Sequence, residues 1–373
     1  MKELLLVSVA LVLAPLGLAL AEPLLTHVDV YTSGTQGYHT FRIPTVETAP
    51  DGTLLAFAEA RKHGRADPGF GKQDIDLVLR RSTDHGRTWS PMVVIEDPGE
   101  GWSAANAATV VDRQKGRVWV LYIRSKPGRS TRTSRPGTDD MQTIARTSDD
   151  NGATWSDPID LTRVARDFDD PKWRASVVGP GGAIQTRTGR LLVPVWKYPY
   201  NVFTIYSDDH GTTWRRGAFA PGLAGSENEL VELADGRVLM DARQAGGKHR
   251  WRTVSADGGH TWSKPRPGEA VSACACAIER LTRKSAGADR DRILWTGPKG
   301  PGRRTLVARL STDEGTSFPH ERLLSAEPAA YSDLTLLRDG SAGVLWERAV
   351  YKFITLTRVN VEFLDAPAPP SKP

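Results

Sequence analysis

The sequence has little cysteine: only Cys274 and Cys276, one residue apart, occur among 373 residues. Neighbours at i and i+2 on a strand lie near the upper limit of the distance that a disulfide bridges. A Cys-x-Cys pair without further ligands is also a poor zinc site. We therefore expect two free, buried thiols.

Long apolar runs are also absent, except at the N-terminus, which reads MKELLLVSVALVLAPLGLALA. Its Lys2, its apolar stretch from Leu4 and its small-x-small end at Ala19 and Ala21 are typical of a secretory signal peptide. We predict a signal peptide over residues 1–21, cleavage after Ala21, and a secreted or periplasmic protein. A retained N-terminal anchor is the alternative. No later segment is apolar for long enough to cross a bilayer.

Short motifs that bind metals or nucleotides are absent too. There is no Gly-rich phosphate loop, no HExxH and no Cys/His cluster, so we expect neither a metal nor another cofactor. The formal net charge is +5, but acidic and basic residues are interleaved, with local basic excess only in KPGRSTRTSRPG (126–137) and KGPGRR (299–304). Such loops are usually solvated, so we expect no nucleic-acid partner. A mild positive field would still attract an anionic substrate.

One eight-residue pattern, Ser-x-Asp-x-Gly-x-Thr-aromatic, is present five times. The copies are STDHGRTW, SDDNGATW, SDDHGTTW, SADGGHTW and the weaker STDEGTSF, starting at Ser82, Ser148, Ser207, Ser255 and Ser311. Ser and Asp side chains bond to turn amides, and Gly supplies positive φ, so each copy predicts a hairpin corner. The aromatic residue, such as Trp155, would begin the next strand, bury its ring and leave its indole N–H to find a partner.

The repeat interval predicts the fold. The copies recur about every 57 residues, which suits a four-stranded propeller blade, and about six such units fit the chain. Short β-rich runs such as RVWVLYIRS and RLLVPVW lie between the copies, and helical periodicity is nearly absent. We predict an all-β, six-bladed β-propeller over residues 22–364, followed by a disordered Pro-rich tail over 365–373.

The segment YHTFRIPTVETAPDGTLLAFAEAR precedes the first copy of the pattern. A Phe-Arg-Ile-Pro motif followed by repeated Asp boxes resembles the exo-sialidase (neuraminidase) family, bacterial and animal type, across essentially the whole chain after residue 21. The pattern alone is weak, because unrelated secreted propellers carry it. The motif, the five boxes and the residues described next make the resemblance specific.

The resemblance implies three arginines that bind the carboxylate of sialic acid, a task that suits a planar, permanently charged guanidinium. Arg42 matches the first and Arg243 the second. The third falls in GRRTLVARLSTDEG, where the family spacing favours Arg303 over Arg304. Glu347, in GVLWER, resembles the carboxylate that braces the first arginine.

Two further positions in the opening segment resemble family residues. Arg61 matches an arginine that borders the substituents of the substrate ring, and Asp67 matches the acid/base aspartate on a flexible loop. To protonate a leaving group near neutral pH, this aspartate would need a raised pKa, from apolar cover or a neighbouring negative charge. Asp74 and Asp76 are the rival carboxylates.

The implied nucleophile is a tyrosine, because a charged carboxylate would be repelled by the carboxylate on the anomeric carbon. Tyr331, in AAYSDL, matches it, and Glu227, in GSENELVELADG, matches the base that a neutral phenol needs. Glu229 is the competing base, and Glu232 falls at the second acidic position of that motif.

The resemblance implies a retaining enzyme that hydrolyses terminal α-linked sialic acids from glycoproteins, glycolipids or oligosaccharides. A trans-sialidase or a hydrolase of deaminated sialic acid would share every residue named. A non-catalytic glycan-binding propeller is the alternative from another class, but it would be expected to lose Asp67, Tyr331 or Glu227. We expect a monomer.

Overall fold

Strands dominate the structure, as the sequence predicts. The computed structural model describes residues 22–366, so the predicted signal peptide and residues 367–373 of the predicted tail lie outside the described residues. In chain order the strands are β1 (Leu25–Thr32), β2 (Thr40–Thr48), β3 (Leu54–Arg61), β4 (Ile75–Ser82), β5 (Val93–Glu96), β6 (Ser103–Asp112), β7 (Arg117–Ser125), β8 (Met141–Ser148), β9 (Ile159–Asp160), β10 (Ala175–Val178), β11 (Ile184–Gln185), β12 (Leu191–Tyr198), β13 (Asn201–Ser207), β14 (Arg215–Arg216), β15 (Gly225–Glu232), β16 (Val238–Gln244), β17 (His249–Ser255), β18 (Arg266–Ala270), β19 (Ala277–Thr282), β20 (Arg292–Pro298), β21 (Leu306–Ser311), β22 (His320–Ser325), β23 (Ala329–Leu336), β24 (Ala342–Arg348) and β25 (Phe353–Val359). The all-β class is confirmed.

The helices are short. They are α1 (Thr162–Ala165), α2 (Val361–Asp365) and one turn of 3-10 helix (Lys284–Ala286). Within residues 22–366 none has the length and apolar character needed to cross a bilayer. The predicted tail begins at Asp365, which ends α2 and whose carboxylate lies 2.6 Å from the Arg292 guanidinium.

Each repeated pattern forms a turn between two strands of one sheet. In the copy between β4 and β5, the Ser82 hydroxyl accepts a hydrogen bond from the Gly86 N–H at 2.8 Å. Asp84 accepts bonds from the backbone N–H and the hydroxyl of Thr88, at 2.9 and 2.6 Å. The same bonds recur in the other four copies. The repeat is therefore a structural turn, as predicted.

The glycine of the pattern is required twice over. Gly211 has a φ of +85°, and a Cβ added there would lie 2.1 Å from the Trp119 ring on β7. The other four pattern glycines also have positive φ, and a Cβ on any of them would lie within 2.7 Å of a leucine side chain. Each turn is therefore docked against a large apolar side chain.

The aromatic residue of the pattern packs as predicted, but the expected indole bond is missing. Trp155 packs edge-on against Phe57, with ring centroids 5.7 Å apart. Within the described residues, the buried indole N–H groups of Trp89, Trp155, Trp214 and Trp262 have no hydrogen-bond partner. The pattern tryptophans therefore act through ring packing. Cys274 and Cys276 are free and buried, which confirms that prediction.

The predicted count of six blades is wrong. Four separate sheets of four or five strands form propeller blades, whereas the strands β2–β9 form a single eight-stranded sheet. Within that sheet β4 and β6 pair in parallel at Ile75 and Ser103, and the Ile75 N–H donates to the Trp102 carbonyl at 3.0 Å. Two successive repeat units are thus joined. The interval between turns predicts repeat units, but it does not tell whether neighbouring units hydrogen-bond to each other.

The ends of the described chain meet in one blade, because β1 pairs antiparallel with β25 beside β24 and β23. Strands β2, β6, β15, β19 and β23 lie at the inside, where β2 contacts β6 and β23, and β19 contacts β15 and β23. We call these the inner strands. Apolar side chains pack between neighbouring sheets, as Trp119 and Leu121 of β7 do against Val193 and Phe203 of the next sheet.

Candidate active site

Four inner strands carry a β-bulge near their N-terminal ends. The register shifts between Arg42 and Thr45 in β2, between Ala105 and Ala108 in β6, and at matching places in β15 and β23. Bulges redirect side chains and are frequent beside active sites. The bulged segments contain Arg42, Asn106, Glu227 and Tyr331, and all four side chains line one cavity of about 480 Å³.

Arg42 is held by Glu347, as predicted. Its Nε and Nη2 donate to the two carboxylate oxygens at 2.9 and 3.3 Å. Glu347 also accepts the backbone N–H groups of Ile43 and Tyr331, at 3.0 and 3.2 Å. A bidentate, buried pair of this kind fixes the plane of the guanidinium. The Arg42 Nη1 group still faces the cavity.

Arg61 and Asp67 lie side by side at the same wall. Arg61 donates through Nε and Nη2 to Glu59, at 3.0 and 2.6 Å, and through Nη1 to Asp67 at 3.0 Å. Asp67 also accepts from Arg42 Nη1 at 3.2 Å. The Asp67 side chain is 64% exposed, on the loop between β3 and β4. Its carboxylate therefore bridges two arginines.

The expected raised pKa of Asp67 is not found. Partial burial acts to raise this pKa, but the positive charges of Arg61 and Arg42 outweigh burial and lower it. Arg61 and Arg42 lie beside Asp67, in place of the apolar cover or negative neighbour that we expected there. A proton on Asp67 would thus need a change in its surroundings.

Tyr331, Glu227 and Arg243 form a hydrogen-bonded group at the centre of the cavity. The Tyr331 hydroxyl donates to Glu227 Oε1 at 2.5 Å and accepts from Arg243 Nη1 at 2.7 Å. Arg243 Nη1 also contacts Glu227 Oε2. Burial, and then the negative charge of Glu227, raise the pKa of Tyr331 well above its ordinary value, although Arg243 and Arg42 oppose this. The phenol therefore keeps its proton beside a carboxylate that can accept it.

Of the two candidates for the third arginine, Arg303 and Arg304, the structure places Arg303 at the cavity. Arg303 lines the cavity, donates to the Tyr351 hydroxyl at 2.9 Å, and lies 5.1 Å from the centre of the Tyr331 ring. Arg304 is exposed and does not line the cavity. The structure thus brings together all eight predicted site residues, Arg42, Arg61, Asp67, Glu227, Arg243, Arg303, Tyr331 and Glu347.

The rival carboxylates point elsewhere. Glu229 is buried beyond the bulge of β15, where it accepts the Ile278 N–H at 2.8 Å. Asp74 and Asp76 face Lys62, with ammonium-to-carboxylate distances of 2.9 and 3.4 Å. None of the three lines the cavity.

Asp74, Asp76 and Asp97 also form a group whose oxygens lie close enough to hold a metal ion, judged over residues 22–366. The Lys62 ammonium lies against all three, 3.9 Å from Asp97, and supplies a positive charge there. A hard cation would fit among these three carboxylates poorly, because the Lys62 ammonium already lies against them.

Sequence reasoning missed several residues at the site. Glu59 braces Arg61, and the Asn106 N–H, at a φ of +54°, donates to Glu59 at 2.9 Å. The alternation in AFAEAR places Glu59 and Arg61 on one face of a strand, which is a signal for Glu59. The cavity is also lined by Trp196 and Tyr200, for which the sequence carries no comparable signal.

A larger cavity, of about 920 Å³, opens at the other end of the inner strands. Glu47 and Glu279 line it, and burial raises the pKa of Glu47 to about 8. Neither carboxylate has an ion-pair partner within 4.0 Å among the described residues. This end also holds an arginine–carboxylate group, because Glu232 pairs with Arg187 and Arg283 at 3.4 and 3.3 Å. It differs from the bulged ends in leaving Glu47 and Glu279 without such a partner in the described chain.

Known proteins resemble this chain in sequence and in fold. Residues 52–344 match the BNR repeat-like domain family. A sialidase of Micromonospora viridifaciens is 34% identical over 354 residues, which cover 87% of this chain and 52% of the relative. Sialidase-3 of Bos taurus is 27% identical, covering 83% of this chain and 86% of the relative.

A solved structure, the Hadza microbial sialidase Hz136, superimposes with a TM-score of 0.82 at 25% identity, over 91% of this chain and 69% of that one. The chain spans between about half and three fifths of the length of three bacterial relatives named sialidase, namely 52%, 61% and 62%. With the family match over residues 52–344 and these relatives, the chain belongs to the exo-α-sialidase family.

Proposed function

We propose that this protein is a retaining exo-sialidase that cleaves terminal α-linked sialic acids from glycoproteins, glycolipids or oligosaccharides. The observation that carries the proposal is the contact of the Tyr331 hydroxyl with Glu227, at 2.5 Å, inside a cavity whose lining includes the three predicted triad arginines. Tyrosine nucleophiles are known for sialidases, and a phenol with a carboxylate base in contact is an activated one.

The substrate carboxylate would bind Arg42, Arg243 and Arg303. Arg42 and Arg243 are each oriented by a glutamate, and all three guanidinium groups line the cavity. Because the attacking tyrosine is neutral, it is not repelled by this carboxylate. Glu227 would take the phenol proton as the tyrosine oxygen bonds to the anomeric carbon and the glycosidic bond breaks. Water would then hydrolyse the glycosyl-enzyme, giving net retention.

Asp67 would protonate the leaving oxygen. Its carboxylate pairs with Arg61 and Arg42, which lower its pKa. A substrate carboxylate on Arg42 would displace Asp67 from that arginine and add a negative charge nearby. Both changes raise the pKa of a carboxyl group. Substrate binding itself would thus supply the proton donor, and Asp67 would later act as the base for water.

A fluorogenic α-sialoside at mildly acidic pH tests the proposal. We expect cleavage, with α-sialic acid as the first product seen by proton NMR before the sugar mutarotates. Release of the β anomer first would contradict the tyrosine mechanism. Failure to cleave the sialoside, together with cleavage of another glycoside, would contradict the substrate class. Adding acceptor galactosides separates hydrolysis from sialyl transfer by the products formed.

We further propose that the protein is exported and acts as a monomer outside the cytoplasm. The signal-peptide pattern of residues 1–21 supports export. N-terminal sequencing of protein recovered from the periplasm or medium should begin at Glu22. Recovery only from the membrane, with the first 21 residues intact, would favour the retained anchor.

A further inference from the structure

The turn between β24 and β25 has an unusual backbone. Three consecutive non-glycine residues, Ala349, Val350 and Tyr351, have φ values of 51°, 55° and 67°. Positive φ is uncommon outside glycine, and for a β-branched residue such as valine it is an outlier. Conformations of this kind persist where the surrounding structure holds them, and they cluster at functional sites.

The neighbouring chain holds this turn in place. The Ser33 hydroxyl donates to the Tyr351 carbonyl at 2.7 Å and accepts the Phe41 N–H at 3.0 Å. The Ala349 N–H donates to the Pro328 carbonyl at 2.9 Å. Since Phe41 directly precedes Arg42, the turn is tied to the strand that carries the first arginine.

The turn presents the Tyr351 side chain to two of the three arginines. The Arg42 guanidinium carbon lies 4.4 Å from the centre of the Tyr351 ring, which is cation–π geometry. Arg303 Nη1 donates to the Tyr351 hydroxyl at 2.9 Å. One side chain therefore contacts both cations.

Arg303 depends on this contact more than the other two arginines depend on theirs. Arg42 pairs with Glu347 and Arg243 with Glu227, whereas over the described chain no carboxylate lies within 4.0 Å of Arg303. Its other hydrogen bond, to the Ala273 carbonyl, is long at 3.5 Å. A neutral phenol orients the guanidinium without neutralising it, so the positive charge stays available to an anionic ligand.

We propose that Tyr351 is a positioning residue that holds Arg303 and Arg42 in the orientation that binds the substrate carboxylate. The inference rests on the proposed function and adds a residue to it. The left-handed turn serves to bring the ring and the hydroxyl to the two arginines at once.

Tyr351→Phe removes the hydroxyl and keeps the ring. A lost hydrogen bond predicts a rise of about 2- to 12-fold in KM for a sialoside, with kcat changed by less than about twofold because the nucleophile and its base are untouched. Tyr351→Leu also removes the cation–π contact and should raise KM further. Val350→Ala, in the same turn but exposed and outside the lining of the cavity, is the matched control and should keep the wild-type KM.

Titration with an unsaturated sialic acid analogue and its uncharged 1-amide distinguishes positioning from folding. The Phe variant should lose affinity for the acid but not for the amide. Equal losses on both ligands, or none on the acid, would overturn the inference. Because these are ratios between variant and wild type, they remain informative if the wild-type protein binds the analogue yet cleaves no sialoside, a result that refutes the proposed function alone.

Discussion

Residues 22–366 contain two Tyr–Glu–Arg groups with nearly the same bonding. Tyr331 donates to Glu227 at 2.5 Å and accepts from Arg243 at 2.7 Å. In the eight-stranded sheet, Tyr122 donates to Glu96 at 2.8 Å and accepts from Arg146 at 3.2 Å. The first group lines the 480 Å³ cavity and the second does not. A tyrosine bonded to a glutamate and an arginine therefore does not identify an active site by itself. The group must also face a cavity and have further cations beside it.

The backbone explains the difference. Tyr122 lies in a regular pairing of β7, opposite Ile144, and its hydroxyl meets a glutamate that already has a second arginine, Arg124, at 2.5 Å. Tyr331 lies within the register shift of β23, between Ala329 and Ser332. The bulge turns it to the cavity, where Arg42 and Arg303 are near its ring, at 5.3 and 5.1 Å. One group is therefore an internal brace, and the other faces a ligand-sized space.

Removing the two tyrosine hydroxyls should give the largest contrast. We expect Tyr331→Phe to fold normally and to lose at least about two orders of magnitude in kcat, a barrier increase of about 2.7 kcal/mol. Tyr122→Phe should keep kcat within about twofold and lose about 0.5–1.5 kcal/mol of unfolding free energy. Steady-state kinetics and urea denaturation of both variants measure this.

Glu227→Gln should lower kcat by a factor comparable to that of Tyr331→Phe. The double variant should have a kcat no lower than that of either single variant, because base and nucleophile act as one unit. Losses that multiply would mean that the two residues act independently. A fully active Tyr331→Phe variant would remove the distinction between the two groups.

The sequence predicts which residues form this site better than it predicts where their side chains point. The resemblance led to all eight residues, because each lies in a short local motif such as FRIP or GVLWER. It could not decide the side chains' directions: Glu227 and Glu229 are two residues apart, and only the bulge in β15 separates them. Tyr351 was missed because its partners, Arg42 and Arg303, are 309 and 48 residues distant in sequence.

The fold shows the same limit. The repeated turns predict the all-β class and the repeat units, since they are local backbone chemistry. The bond between Ile75 and Trp102 that joins two units has no local signature, so the blade count was wrong. The lowered pKa of Asp67 has both origins: Arg61, six residues away in sequence, is the larger lowering cause, and Arg42, on another strand, adds to it.

Removing the arginine of each group should give the next largest contrast. Arg243→Ala removes a charge-assisted contact of about 1.5–3 kcal/mol to a substrate carboxylate, so KM should rise about 10- to 150-fold while the fold is kept. Arg146→Ala should leave KM unchanged and lower stability instead, because Arg146 pairs with Glu96 away from the cavity. A wild-type KM in both Arg243→Ala and Arg42→Ala would refute the arginine triad.

The pH dependence of activity should show a smaller effect. The protonated fraction of Asp67 falls as pH rises through its pKa. In the free enzyme Arg61 and Arg42 lower that pKa against the effect of burial, so kcat/KM should decline from low pH upward. In the complex the substrate carboxylate would raise it, so the declining limb of kcat should lie at least about one pH unit higher. Coincident limbs in the two profiles would mean that Asp67 keeps its partners when substrate binds.

Chelation should have the smallest effect. The carboxylates of Asp74, Asp76 and Asp97 fit a metal site best among residues 22–366, yet Lys62 lies among them, and Asp74 and Asp76 point away from the cavity. The positive charges at the substrate come instead from arginines. We therefore expect EDTA to leave kcat and KM unchanged, with Lys62→Ala, also assayed with and without EDTA, as the sensitised control. Reversible loss of wild-type activity, restored by a divalent ion, would show that a metal assists the Tyr331 group, and the contrast with the Tyr122 group would then need a metal as well as a cavity.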